Sequence, residues 1–169
     1  MPSSASSNLQ LRKRQQFSKL AVFTCLLGIV LMPGMAAALE YRSVAPQKAV
    51  LYDAPSAQAK KLFVVSQGYP VEIIVTLGNW IKVRDHFGTL SWIEAKDLDT
   101  KRNLIVITNN AELHQAADPA SKVISKVEQD VMLEMLEPPT SGPAGNSWVK
   151  VRHRDGLTGY ILASSVWGY

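Results

Sequence analysis

The sequence has one cysteine, Cys25, in 169 residues. A single thiol excludes a disulfide framework. Histidine is also scarce: His86, His114 and His153 fall at no spacing that suits a metal site. No glycine-rich phosphate loop and no nucleophile-elbow sequence is present. Paired carboxylates for acid/base work are not assignable; Glu72 and Glu134 recur in the repeat described below, but a solvent-facing strand position explains them equally well. The chain is too short for a large α/β enzyme. No segment after the N-terminal region keeps a helical period. These absences point to a non-catalytic, all-β protein with no cofactor and no metal.

Acidic residues are missing from the whole N-terminal stretch; the first is Glu40. The net charge of +4 invites a polyanionic partner. Four of the 18 cations, however, are Arg12, Lys13, Arg14 and Lys19, and removing them leaves 14 against 14 acids. The body of the chain is balanced, and nucleic acid is not an expected partner.

The first 38 residues read as a secretory signal peptide. Arg12 to Lys19 make a positive region, and Leu20 to Met32 an apolar run of 13 residues. Pro33-Gly34 break any helix, and Ala36-x-Ala38 supplies small residues for cleavage after Ala38. A membrane span needs ~20 apolar residues, so a retained anchor fits less well. Cleavage removes Cys25, which suits an oxidising compartment. The expected location is periplasmic or secreted, with no membrane attachment after cleavage.

The remaining residues repeat. Trp80 to Leu98 align with Trp148 to Val166 at an offset of 68, with seven of 19 positions identical. Ala49 to Val75 align with Ala111 to Glu137 at an offset of 62. The change of offset marks a six-residue insertion: Thr76 to Asn79 precede the first Trp, Pro138 to Ser147 the second. Each copy reads as short strands. In the first, these are Val71 to Val75, Trp80 to Arg84 and Leu90 to Ile93, with a turn at Asp85 to Gly88. In the second, Leu104 to Ile107, Val131 to Leu136, Trp148 to Arg152 and Thr158 to Ile161 are strands, and Asp155-Gly156 marks a turn. Glu94 to Leu98 and Leu162 to Val166 each fit one 3₁₀ turn. His86 and His153 fall in turns and are expected to be solvated. Units of this size imply small, partly open barrels over 39–100 and 101–169, packed close together with limited relative motion.

The pattern Gly78-x-Trp80-x-Lys82-Val83-Arg84-x-x-x-Gly88-x-x-x-Trp92-Ile93 resembles the bacterial SH3 domain. So does Trp148-x-Lys150-Val151-Arg152-x-x-x-Gly156-x-x-Gly159-Tyr160-Ile161. Leu51-Tyr52-x-Ala54-Pro55 is similar to the family's opening strand and loop. The resemblance implies two tandem SH3-like barrels. It also implies an exported binding module, since members often target the cell wall beside a hydrolase domain; a module without an attached hydrolase is the expectation here. Ser91 replaces a usual Gly, Tyr160 replaces the second Trp, and His114 stands in the place of Tyr52, which leaves open whether both copies bind alike.

Side chains alternate along a strand. Trp80, Lys82 and Arg84 therefore share one face, with Ile81 and Val83 on the core side. Trp148, Lys150 and Arg152 share the corresponding face, opposite Val149 and Val151. Each Trp either lines a ligand groove or caps the barrel under the Lys and Arg stems. Tyr52, Trp92, His114 and Tyr160 extend these faces into aromatic platforms or serve as packing. Trp167 either joins them or, with Tyr169, docks onto a neighbouring unit. The Pro138 to Ser147 loop, by resemblance, flanks the groove; it is otherwise a tolerated excursion. The expected ligand is peptidoglycan or its stem peptides, and the alternative is an envelope protein bound by groove or edge-strand contacts.

Overall fold

The computed structural model describes residues 39–169. The signal segment expected over 1–38 lies outside the described residues. Fourteen short strands form two seven-stranded antiparallel sheets of the same connectivity. The first contains β1 (Tyr41–Val44), β2 (Lys48–Tyr52), β3 (Lys61–Ser66), β4 (Pro70–Leu77), β5 (Trp80–Arg84), β6 (Leu90–Glu94) and β7 (Leu98–Asp99), in the order β3-β2-β6-β5-β4-β1-β7. The second contains β8 (Asn103–Val106), β9 (Ala111–His114), β10 (Val123–Val127), β11 (Met132–Ser141), β12 (Ser147–Arg152), β13 (Thr158–Leu162) and β14 (Val166–Trp167), in the order β10-β9-β13-β12-β11-β8-β14. The all-β, tandem architecture is the expected one. The barrel is not closed: each hydrogen-bonded ladder runs between two edge strands.

The period-two pattern places the core where alternation requires. Ile81, Val83, Val149 and Val151 are at most 2% exposed. They join Leu51, Val65, Val71 and Ile93 in the first core, and Leu113, Val127, Leu133 and Ile161 in the second. A one-residue slip of β5 would expose Ile81 and Val83 and bury Lys82. Each aliphatic side chain so exposed costs roughly 1.5–3 kcal/mol, which holds the register. A 3₁₀ turn at Ala95–Asp97 leads into β7, and one at Ala163–Ser165 into β14.

Both sheets lie in one compact unit, Leu39–Tyr169. The Tyr41 and Trp167 rings meet edge to face at 5.1 Å, so Trp167 docks on the other repeat. The Arg102 guanidinium lies 5.5 Å from the Tyr41 ring, and the Asn103 N–H donates to Ser43 Oγ at 3.1 Å. Gly168 has φ of +113°, and a Cβ there would stand 3.1 Å from Pro70 Cβ and 3.0 Å from the Asn103 carbonyl.

His86 departs from expectation. It sits in the turn after β5, but its side chain is only 6% exposed. It shares a hydrogen bond with the Tyr69 hydroxyl at 3.1 Å, and its Nε2 lies 3.5 Å from Asp130 Oδ1 of the second repeat. The turn itself stays solvent-facing, with Phe87 74% exposed, but Tyr69 and Phe87 of its own repeat and Asp130 and Trp167 of the second enclose the His86 ring. His153 is less enclosed, with its side chain 25% exposed. Glu72 also departs from a solvent-facing position, being 4% exposed. Arg84 lies across the strand and binds its carboxylate through Nε and Nη2 at 2.8 and 2.7 Å. A buried carboxylate needs such a partner.

Candidate functional site

Residues opposite one another in an antiparallel ladder point to the same side. In the first repeat Leu77, Trp80 and Glu94 form one such row across β4, β5 and β6. Val75, Lys82, Trp92 and Tyr52 form the next, continuing to β2. Glu72, Arg84 and Leu90 form the third. The second repeat lays out Thr140, Trp148 and Leu162; Glu137, Lys150, Tyr160 and His114; and Glu134, Arg152 and Thr158. The structure thus brings Tyr52, Trp80, Lys82, Arg84 and Trp92 onto one face, and His114, Trp148, Lys150, Arg152 and Tyr160 onto its counterpart.

The two faces share internal geometry. Tyr52 meets Trp80 edge to face at 5.4 Å, and His114 meets Trp148 the same way at 5.0 Å. Lys82 Nζ lies 5.9 Å from the Trp92 ring, and Lys150 Nζ 5.9 Å from the Tyr160 ring. Histidine therefore substitutes for Tyr52, and tyrosine for Trp92, without changing the arrangement. Both rings that pack on the Trp are buried; Tyr52 is 9% and His114 5% exposed.

The faces differ in access. Trp80 is half-buried, and Val75 and Leu77 beside it are 47% and 57% exposed. Trp148 is 1% exposed. The insertion causes the difference. Its first residues lengthen β11, so that Thr140 pairs with Trp148 and Ser141 with Ser147, and a 3₁₀ turn at Pro143–Gly145 forms the tip. Gly142 then lies on the indole: a Cβ there would be 2.5 Å from Trp148 Cδ1 and 2.7 Å from the Ala117 carbonyl oxygen. The Trp148 Nε1–H is buried with no hydrogen-bond partner. The first repeat turns instead through Gly78 at φ +56°, whose surroundings are open.

The faces also differ in charge. Lys150 Nζ donates to Glu137 Oε1 at 2.6 Å, and this bond raises the Lys150 pKa above the ordinary lysine value. At the same register the first repeat pairs Lys82 with Val75. Among the described residues no carboxylate pairs with Lys82. Arg84 is held by Glu72, so Lys82 is the uncompensated cation of the first face.

A cleft of about 780 Å³ between the repeats escapes sequence reasoning. Arg152 lines it, 3.6 Å from Glu134, which Lys101 also approaches at 3.1 Å. Asp130 reaches it from a turn position where the first repeat has Gly68; their φ values are +65° and +83°. Only docking creates this cleft, and no spacing in the chain signals it. Among its lining charges, Lys101 and Arg152 face Glu134. Among the described residues no three His, Cys, Asp or Glu side chains are grouped to hold a metal ion.

The family model described as bacterial SH3 domain matches residues 45–99 and 108–168. No curated protein matches the sequence. Among solved structures, NlpC2 and NlpC1 from Trichomonas vaginalis are each 15% identical with a TM-score of 0.35. The alignments cover 77% and 82% of this chain, and 48% and 49% of theirs. An NlpC/P60 family protein from Bacillus cereus is also 15% identical at a TM-score of 0.35, over 76% of this chain and 56% of that one. The chain thus spans about half the length of these proteins, and the likeness is too loose to transfer an activity.

Proposed function

The chain belongs to the bacterial SH3 domain family, and from that premise we propose that it is an exported, non-catalytic binding module of the cell envelope that recognises peptidoglycan or its stem peptides. The observation that carries this reading is the open face of the first repeat, where half-buried Trp80 and Trp92 flank Lys82. Aromatic rings beside a cation suit sugar rings and short peptides. The positive, apolar and small-residue order of residues 1–38 supports export to the periplasm or beyond. The second face supports the fold and is closed by its own hairpin. Sedimentation of the protein, cleaved after Ala38, with purified cell wall tests the reading. Co-sedimentation that Trp80→Ala abolishes supports it; none at physiological salt overturns it.

One observation favours a protein partner instead. The unpaired edge β3 exposes Phe63 at 52% and Val64 at 64%, where the second repeat has Ser125 and Lys126. An apolar edge invites strand addition. Crosslinking that recovers one defined protein from cells stripped of wall, at the edge rather than at Trp80, favours this adaptor reading.

A further inference from the structure

We infer that the second repeat carries a built-in imitation of the ligand, and that the first repeat takes the carboxylate of a peptide on Lys82 in the way Lys150 takes Glu137. The inference rests on the proposed wall-peptide reading and narrows it to the group recognised.

Three relationships support it. First, Lys82 and Lys150 occupy the same place in the repeat, each 5.9 Å from the ring at the same cross-strand position. Second, the residue opposite the lysine is Glu137 in one copy and Val75 in the other. The carboxylate that completes Lys150 comes from its own chain at 2.6 Å, while the matching space at Lys82 is bordered by an exposed valine. Third, the backbone at Gly142 lies against Trp148, where Trp80 remains half-buried. A peptide backbone on the indole and a carboxylate on the lysine are both supplied internally to the second repeat. An external ligand that supplies both to the first repeat is a peptide with a free carboxylate a few bonds from the main chain. Exposed Leu77, opposite Trp80, suits an aliphatic side chain next to that carboxylate.

Position 75 allows a direct test, because it is exposed and a change there need not disturb the core. Val75→Glu copies the internal ion pair of the second repeat; Val75→Gln copies its size without charge. The probes are purified cell wall and a soluble stem peptide ending in a free D-alanine carboxylate, compared with the same peptide as its C-terminal amide. Circular dichroism melts confirm that both variants fold. The expected result is that Val75→Glu, Lys82→Met and amidation each weaken binding by about tenfold or more, while Val75→Gln and Lys150→Met stay within about twofold. If wild type binds wall but Glu and Gln at position 75 behave alike, the carboxylate inference falls and the wall reading stands. If wild type binds neither wall nor peptide, the wall reading falls and the inference falls with it.

Discussion

Gly142 lies against Cδ1 and Nε1 of Trp148, so near that any β-carbon would lie 2.5 Å from Cδ1. Its φ of −101° is open to any residue, so the requirement for glycine is steric. Gly142→Ala must lift the hairpin tip from the indole or push Trp148 aside, and overpacking of this kind costs about 1–3 kcal/mol. The expected outcome is a lower urea midpoint together with faster exchange of the Trp148 indole N–H by NMR. Unchanged exchange would show that the tip does not seal the indole.

The same contact separates the two equivalent tryptophans. Trp148 is 1% exposed, and Trp148→Ala should cost ~3–5 kcal/mol, as for other core aromatics. Trp80 is half-buried, so Trp80→Ala should cost clearly less stability and mainly reduce wall binding. Denaturant melts beside sedimentation distinguish these roles. Equal losses of stability would mean that Trp80 is chiefly a packing residue.

Much of the architecture is legible because the chain states it twice. Alternation in Trp80-Ile81-Lys82-Val83-Arg84 identifies the buried face, and Trp148 to Arg152 repeats it. Asp85 and Asp155 mark the turns, where each carboxylate accepts a backbone N–H two residues on at 2.9 Å. The fate of the outer face is not legible from alternation, because alternation separates inside from outside and says nothing about what later covers the outside. Trp148 is covered by a hairpin whose path depends on Gly142. Glu72 is covered within its own sheet, and its pairing with Arg84 follows from a cross-strand register that the sequence does not print. His86 is enclosed by Tyr69 and Phe87 of its own repeat together with Asp130 and Trp167 of the second, contacts that alternation does not reveal.

Glu72 depends on Arg84 in a way Glu134 does not depend on Arg152. Glu72 has one bidentate partner and is 4% exposed, whereas Glu134 is more open and has Lys101 as well as Arg152. Removing one member of a buried pair leaves an uncompensated charge. Arg84→Met should therefore lower the thermal midpoint more than Arg152→Met does. Adding Glu72→Gln to Arg84→Met should recover part of the loss. A double-mutant cycle with no recovery would assign the effect to the arginine stem instead.

Tyr69 makes the unit sensitive to alkali. Burial, with smaller contributions from Asp85 and Asp130, pushes its pKa from 10.0 up to about 12. Between those values the folded state holds a proton that the unfolded state has released, so unfolding becomes more favourable as pH rises. Stability should decline from about pH 10 to 12. Tyr69→Phe, which removes the titrating group and its bond to His86, should be less stable at neutral pH but show a shallower decline. Urea midpoints at a series of pH values give both slopes; parallel slopes would exclude Tyr69 as a source of the sensitivity.

Trp167 carries the docking argument to a measurable end. It belongs by sequence to the second repeat, yet its ring stacks edge to face on Tyr41 at 5.1 Å and approaches His86 at 6.3 Å. Arg102, whose guanidinium lies 5.5 Å from the Tyr41 ring, also donates from Nη2 to the Gly168 carbonyl at 3.2 Å. An aromatic pair and a guanidinium thus join the Asn103 to Ser43 hydrogen bond and the approach of His86 to Asp130 at the junction. Each repeat has its own hydrophobic core, so loss of the junction should uncouple the two rather than unfold either. Trp167→Ala should convert one cooperative unfolding transition into two, with the Trp80 and Trp148 indole signals melting at different denaturant concentrations. A single transition that merely shifts would mean that the remaining contacts, such as Asn103 to Ser43, suffice to hold the repeats as one cooperative unit.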